Sequence, residues 1–331
     1  MKLKKSLFCL SALSLCALAV SACKKDENTI KVGILQFMTH DALNKATDGF
    51  KQQILDSCPE GKKVEFIVKN PEQDMASMQT MATSLVRECD LVMGNATPAA
   101  TQLVAAAASE GKTDLPILFT SVTVPVSAEL VSSMTSPGGN VTGTSDINPV
   151  SMQMDLAIDL AGDSCTVGFL YTATEANSKV QCDEATRYLR TAYPNVKIET
   201  LTVPDQSSIS SVTTSLSQKC DVMYIPTDNL LAANMTTVAN VTNPAKVPLI
   251  CGESSMVDNG GTFSLSIGYY ELGKTTGEMA SKILFEGVKP SEIAVGTQTD
   301  VSKFEFAINN SAITAMNLTL TDSFKTKYNI N

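Results

Sequence analysis

Six short polar stretches carry the residue types that could recognise a small polar molecule. They read Gln36-Phe37-Met38-Thr39-His40, Gly94-Asn95-Ala96-Thr97-Pro98, Thr120-Ser121-Val122-Thr123, Tyr171-Thr172-Ala173-Thr174, Pro226-Thr227-Asp228-Asn229 and Gly252-Glu253-Ser254-Ser255. Thr97-Pro98 opens a run of strong helix formers, and the free N–H groups of a helix start favour an anion such as a carboxylate. Ser121 and Thr123 would add hydroxyl donors. Asp228 would pair with an ammonium group, and Glu253 is a second candidate for it. A carboxylate at one side and an ammonium at the other describe an amino acid. Gln36, Phe37, His40, Asn95, Tyr171, Asn177, Thr227, Asn229 and Tyr269 complete the candidate set. Thr97 and Asp228 are equally suited to capping the helices that follow them. His40 is equally suited to capping or packing.

The same inventory speaks against other chemistry. His40 is the only histidine and has no paired nucleophile, so a hydrolytic triad or a histidine-based zinc site has no support. There is no P-loop, and no glycine-rich dinucleotide fingerprint follows the first strand. Beyond residue 23 the cysteines are Cys58, Cys89, Cys165, Cys182, Cys220 and Cys251, none in CxxC spacing. No metal, cofactor or catalytic residue is expected, and the chain reads as a binder and not an enzyme. Cys165 and Cys220 each precede a strand, and those strands should be neighbours. A disulfide between them and free buried thiols are even alternatives.

Stretches of this kind need a scaffold that brings them together, and the pattern supplies one. Residues 30–36, 64–68, 91–93 and 117–119 read as strands, separated by helical spacing at 43–55, 74–86 and 99–108. Met75, Met78, Met81, Ala82 and Leu85 form one helical stripe, read as core packing. The series repeats with strands at 167–171, 196–201, 222–225 and 249–251 and helices at 177–192, 208–217 and 230–241. Even the letters repeat: Ser84-Leu85-Val86-Arg87-Glu88-Cys89-Asp90-Leu91-Val92 parallels Ser215-Leu216-Ser217-Gln218-Lys219-Cys220-Asp221-Val222-Met223. Alternation of this type predicts an α/β fold of two similar domains, each a doubly wound parallel sheet. The turn and strand at 136–143 and the stretch 262–268 are expected to cross between them. A helix at 270–285 and a last strand near 303–308 follow. Ligands of such sheets bind at the carboxyl ends of the strands, where the six polar stretches fall.

The chain has 331 residues and a formal charge of −9. Lys2, Lys4 and Lys5 precede an apolar run, residues 7–20, too short to span a bilayer, which marks an export signal. Ser21-Ala22-Cys23 at its end resembles the bacterial lipobox, which implies cleavage before Cys23 and a lipid on its sulfur. Loss of the three leader lysines takes the charge from −9 to −12. An acidic chain without a basic cluster argues against nucleic-acid partners.

Several segments together resemble one family, the type I solute-binding lipoproteins of ABC transporters, in their tryptophan/aromatic-amino-acid-binding branch. They are residues 36–43, Gly49-Phe50, Ala96-Thr97-Pro98-Ala99-Ala100, residues 137–143, Pro226-Thr227-Asp228-Asn229 and Gly268-Tyr269-Tyr270-Glu271-Leu272-Gly273. Asp41 and Asn44 depart from the branch's usual proline and aspartate, and Thr123-Val124-Pro125 from a more usual Asp-Pro. The resemblance implies a periplasmic-binding-protein type I fold whose two hinged domains close on a small ligand. It implies a lipid-anchored, exported monomer that delivers the ligand to an ABC permease. The expected division is a signal at 1–22 and a linker at 23–29. One domain covers 30–145 plus about 268–296, the other 146–267 plus about 297–331. With no Trp in the chain, ring stacking would fall to Phe37, Tyr171, Tyr269 or Tyr270. Alternatives within the fold are a branched-chain amino acid, a nucleoside or a sugar as ligand, or a sensor for a membrane receptor.

Overall fold

The structure, a computed structural model, describes residues 28–330. The export signal and Cys23 lie outside the described residues. The first lobe is built from β1 (Thr29–Gln36), α1 (Asp41–Asp56), β2 (Lys63–Lys69), α2 (Met75–Glu88), β3 (Leu91–Asn95), α3 (Thr97–Ser109), β4 (Ile117–Thr120) and β5 (Val141–Ser145). The chain then crosses over and lays down α4 (Val150–Ala161), β6 (Thr166–Thr172), α5 (Ala176–Ala192), β7 (Lys197–Val203), α6 (Ile209–Ser217) and β8 (Val222–Ile225). The second lobe continues with α7 (Asn229–Ala233), α8 (Met235–Ala245), β9 (Leu249–Cys251), α9 (Ser254–Asp258) and β10 (Phe263–Ser266). It returns to the first lobe for α10 (Tyr269–Glu286) and β11 (Gly296–Thr297). A third crossing leads to β12 (Glu305–Ile308), α11 (Asn310–Met316) and α12 (Asp322–Lys327).

Each lobe is a six-stranded sheet, in the order β11-β5-β4-β3-β1-β2 and β12-β10-β9-β8-β6-β7. The pairs are parallel except β10 with β12. The central strands β3 and β8 are buried throughout and apolar apart from Asn95 at the end of β3, because helices cover both faces. The repeated nine-residue segment is the same structural joint used twice. Asp90 Oδ2 accepts Lys31 N–H at 2.8 Å, and Asp221 Oδ2 accepts Thr166 N–H at 2.8 Å. The thiols of Cys89 and Cys220 lie against Gly33 and Gly168, where any Cβ would collide with sulfur at 2.9 and 2.7 Å. Those two glycines let each helix approach its sheet.

Several details differ from the sequence expectation. The strand expected in the 136–143 segment is present as β5, but the 262–268 segment also carries a strand, β10, which was not expected. Both have buried hydroxyls, at Thr142, Thr144, Ser264 and Ser266. The chain crosses just after each of them. Helix α4 was not foreseen, and the helix expected at 230–241 breaks at Asn234 into α7 and α8. Met78 is fully buried and Met81 packs on the core, but Met75, the first residue of α2, is 60% exposed. Among the described residues all six cysteines are free. Cys165 and Cys220 do precede neighbouring strands, but they belong to core clusters on different sides of the second sheet. No disulfide joins them.

Candidate ligand-binding site

The cleft between the lobes holds a small cavity, partly open to solvent. From the first lobe it is lined by His40, Leu43, Thr97, Ser121 and Thr123. The second lobe adds Asn177, Thr227, Asp228, Asn229, Ala232 and Glu253. Asp146 on the first crossover and Tyr269 after the second form its hinge side. No lysine or arginine lines it.

On the first-lobe side the strands end in conformations that turn donors toward the cleft. Ala96 (φ 82°) and Ser121 (φ 56°) both adopt left-handed φ values, unusual for residues with a Cβ. Ala96 is the N-cap of α3 and has no side chain that could cap it. The first N–H groups of this thirteen-residue helix therefore lack a side-chain acceptor, and no acid sits in its first turn. Ser121 Oγ is buried and has no partner. This side presents backbone N–H groups and a free hydroxyl toward the cleft.

On the second-lobe side the helix starts are capped by carboxylates. Asp228 accepts Leu231 N–H at 3.0 Å, Thr172 N–H at 2.7 Å and the Thr172 hydroxyl at 2.7 Å. Glu253 accepts from Ser255 N–H at 2.7 Å and from the Ser255 hydroxyl. Glu175, just outside the cavity, accepts Asn229 N–H at 2.9 Å and Leu230 N–H at 3.0 Å. Burial raises all three carboxyls above their ordinary range. Glu253 is pushed up to about 7. Glu175 reaches about 8 through burial and the nearby Asp228. Asp228 and the hinge residue Asp146 are also raised by burial. The surface is acidic and desolvated; no lysine or arginine lines the cavity, and Lys45 beside it acts on Glu253 only as a lesser influence.

The lobes are closed on one another. His40 Nε2 donates across the cleft to Asn229 Oδ1 at 3.2 Å, and Asn259 Nδ2 donates to Asp41 Oδ2 at 2.7 Å. Lys45 and Asp258 pair at 3.7 Å beside them. Burial pushes His40 down to about 4, against the opposing effects of the Asn229 bond and Asp41. The ring is neutral, and its Nδ1 is a buried acceptor without a donor.

Of the residues named from sequence, the cavity gathers His40, Thr97, Ser121, Thr123, Asn177, Thr227, Asp228, Asn229, Glu253 and Tyr269. Four lie elsewhere. Gln36 is buried under α1, bonded to Met38 O, Asn44 and Thr47. Asn95 holds Leu43 O and Thr47. Tyr171 packs on the core of the second lobe. Phe37 lines a groove at the cleft mouth together with Pro98, Glu175 and Leu230. Thr97 and Pro98, and Asn229 and Leu230, are successive residues lining cavity and groove, so the two adjoin. Asp146, Leu43 and Ala232 were missed. Leu43 was legible as the first large apolar residue after His40, whereas Asp146 carried no signal.

The profile of the family described as ABC transporter substrate binding protein matches residues 31–328. A tyrosine-binding protein of Clostridioides difficile (strain R20291) is 33% identical over 307 residues, 92% of this chain and 85% of that protein. A solved ABC domain in complex with L-Trp from Streptococcus pneumonia is 33% identical, with 90% of this chain and 98% of that one covered and a TM-score of 0.81. The ligand-free, open structure of a substrate-binding protein with adhesive properties from Clostridium difficile is 32% identical, with 88% and 96% covered and a TM-score of 0.67. At near-equal identity the chain superposes better on the ligand-bound structure, in keeping with its closed cleft.

Proposed function

The chain belongs to the ABC transporter substrate-binding protein family, and from that premise we propose that it captures an aromatic amino acid, tryptophan or tyrosine, by closure of the cleft. One observation carries this reading: an uncapped helix start with a bare Ser121 hydroxyl faces buried carboxylates across a cavity that no lysine or arginine lines. The ligand must bring both charges itself. Its carboxylate meets the α3 N-terminus, Ser121 and Thr123. Its ammonium meets Asp228, a charge-assisted bond contributing about 1.5–3 kcal/mol.

The ring lies toward Tyr269 or into the adjoining groove past Phe37, Pro98 and Leu230. Burial of ~150–250 Å² of ring surface at ~25 cal/mol per Å² contributes about 4–6 kcal/mol. After the losses on association these terms support binding of roughly micromolar strength or better. The relatives whose descriptions name L-Trp and tyrosine support the aromatic class. A sugar would leave the acidic side without a cation, which disfavours that alternative. The role is delivery to a permease without turnover, from a chain exported and held to the membrane by a lipid on Cys23.

The test is thermal stability of the soluble form from Lys24 onward against the twenty amino acids, after unfolding and refolding to strip carried-over ligand. Binding to the native state alone raises the melting temperature. A selective rise with Trp, Phe or Tyr supports the reading. No rise with any amino acid, from a folded protein, overturns it.

A further inference from the structure

Three buried side-chain atoms that line the cavity have no hydrogen-bond partner: His40 Nδ1, Ser121 Oγ and Asp146 Oδ1. Ser121 suits the ligand carboxylate and His40 bridges the lobes, which leaves Asp146. It sits on the first crossover, between β5 and α4, and is 4% exposed. Its Oδ2 accepts the Tyr269 hydroxyl at 2.7 Å, and Tyr269 opens α10 directly after the second crossover. The pair therefore ties two hinge segments together. The Thr123 side chain lies near enough to the same carboxyl to favour its ionised form, without a hydrogen bond to Oδ1.

A carboxylate oxygen buried without a donor is costly, and a ligand donor removes that cost. Asp228 differs, since its two oxygens already receive three protein donors. Position adds to the contrast. Thr123 belongs to the hydroxyl set that faces the ligand carboxylate, so Asp146 stands one side chain away from that end. In any α-amino acid the ammonium is bonded to the carbon next to the carboxylate. Its three N–H donors exceed what one already occupied carboxylate can accept.

We propose that Asp146 is a second acceptor for the ligand's α-ammonium, shared with Asp228, so that the hinge itself touches the ligand. This rests on the amino-acid reading above and adds a residue to it. Asp146 then separates amino acids from the corresponding desamino acids, because the latter leave its free oxygen buried and unpaired. It also gives the closed hinge a contact that the empty protein lacks.

The experiment is calorimetry on the refolded chain from Lys24 onward, with L-tryptophan and indole-3-propionate as paired probes. The proteins are the wild type, Asp146→Asn and Tyr269→Phe. Asp146→Asn is expected to weaken tryptophan by about tenfold or more and to leave indole-3-propionate within about twofold. Tyr269→Phe breaks the hinge bond but keeps the carboxylate, and is expected to change both probes by the same factor. Asp146→Asn that spares tryptophan, or weakens both probes equally, overturns the proposal alone. A wild type that binds no amino acid overturns it together with the reading beneath it. Should Asp146→Asn not fold, a crystal structure of the wild type with tryptophan decides. An ammonium nitrogen within hydrogen-bonding distance of Asp146 Oδ1 supports the assignment, and one beyond it refutes it.

Discussion

The two lobes share a sheet order and a duplicated joint, yet they present opposite chemistry to the cleft. In the first lobe the cleft-facing helices α1 and α3 start at His40 and Ala96, and neither side chain caps its helix. In the second lobe α7 and α9 start at Asp228 and Glu253, and both carboxylates bond the helix they begin. One scaffold thus yields a donor surface where caps are withheld and an acceptor surface where caps are acidic. The difference lies in a few residues at the strand ends, while the sheet order and the joint at Cys89 and Cys220 behind them are alike. On the proposed reading a zwitterion would bridge two such faces, and either half of it alone would leave one face unpaired.

The sharpest way to break this contrast is to make the first lobe resemble the second. Thr97→Asp places a carboxylate in the first turn of α3, where it favours the helix but repels the ligand carboxylate. Affinity for tryptophan should fall by roughly a hundredfold or more at an unchanged or slightly raised melting temperature. Calorimetry with thermal melts checks both halves. Next, Asp228→Asn removes the charge from the acidic face, and one Asn nitrogen would confront existing donors. A loss of about 1.5–3 kcal/mol in binding is expected, with lower stability as well.

A pH series sharpens the comparison further. His40 is held neutral, at about 4 against an ordinary 6.5. The closed protein therefore binds fewer protons than the unfolded chain between those values. The His40 contribution is full above pH 6.5 and is lost as the pH falls toward 4. Glu253 and Glu175 act in the opposite sense, since burial favours their protonated forms. Their contributions are present at low pH and decline as the pH rises from about 4.5 through about 7 and about 8. His40→Asn should flatten the acid limb of a chemical-denaturation profile and leave the upper limb in place. An unchanged acid limb would remove His40 from the account. The smallest effect belongs to the rim. Lys45→Ala breaks an exposed pair with Asp258, and a change under about 1 kcal/mol in ligand affinity is expected.

The fold was legible because buried strands and amphipathic helices alternate with clear periods, and the joint at Cys89 and Cys220 even repeats in letters. Helix α4 escaped because it begins at Pro149 without a capping signal and is apolar on much of its surface. The disulfide alternative needed the knowledge of which face of the sheet each cysteine occupies, which strand order alone does not give. At the site, Thr97, Ser121 and Asp228 were readable because strand ends gather polar residues at one edge of each sheet. Gln36 and Asn95 sit at the same edges but turn under α1 and satisfy Thr47 and nearby carbonyls. Side-chain direction at a strand end depends on the local backbone turn and the rotamer, which sequence does not report. Asp146 lies in a crossover, where no period marks which side chain faces the ligand.

The most direct measurement is calorimetry of the refolded wild type with tryptophan, tryptamine and indole-3-propionate. A cleft with one lobe for each charge should bind tryptophan and bind each truncated compound at least about tenfold more weakly. Tryptamine or indole-3-propionate binding as tightly as tryptophan would contradict the division of charge between the lobes.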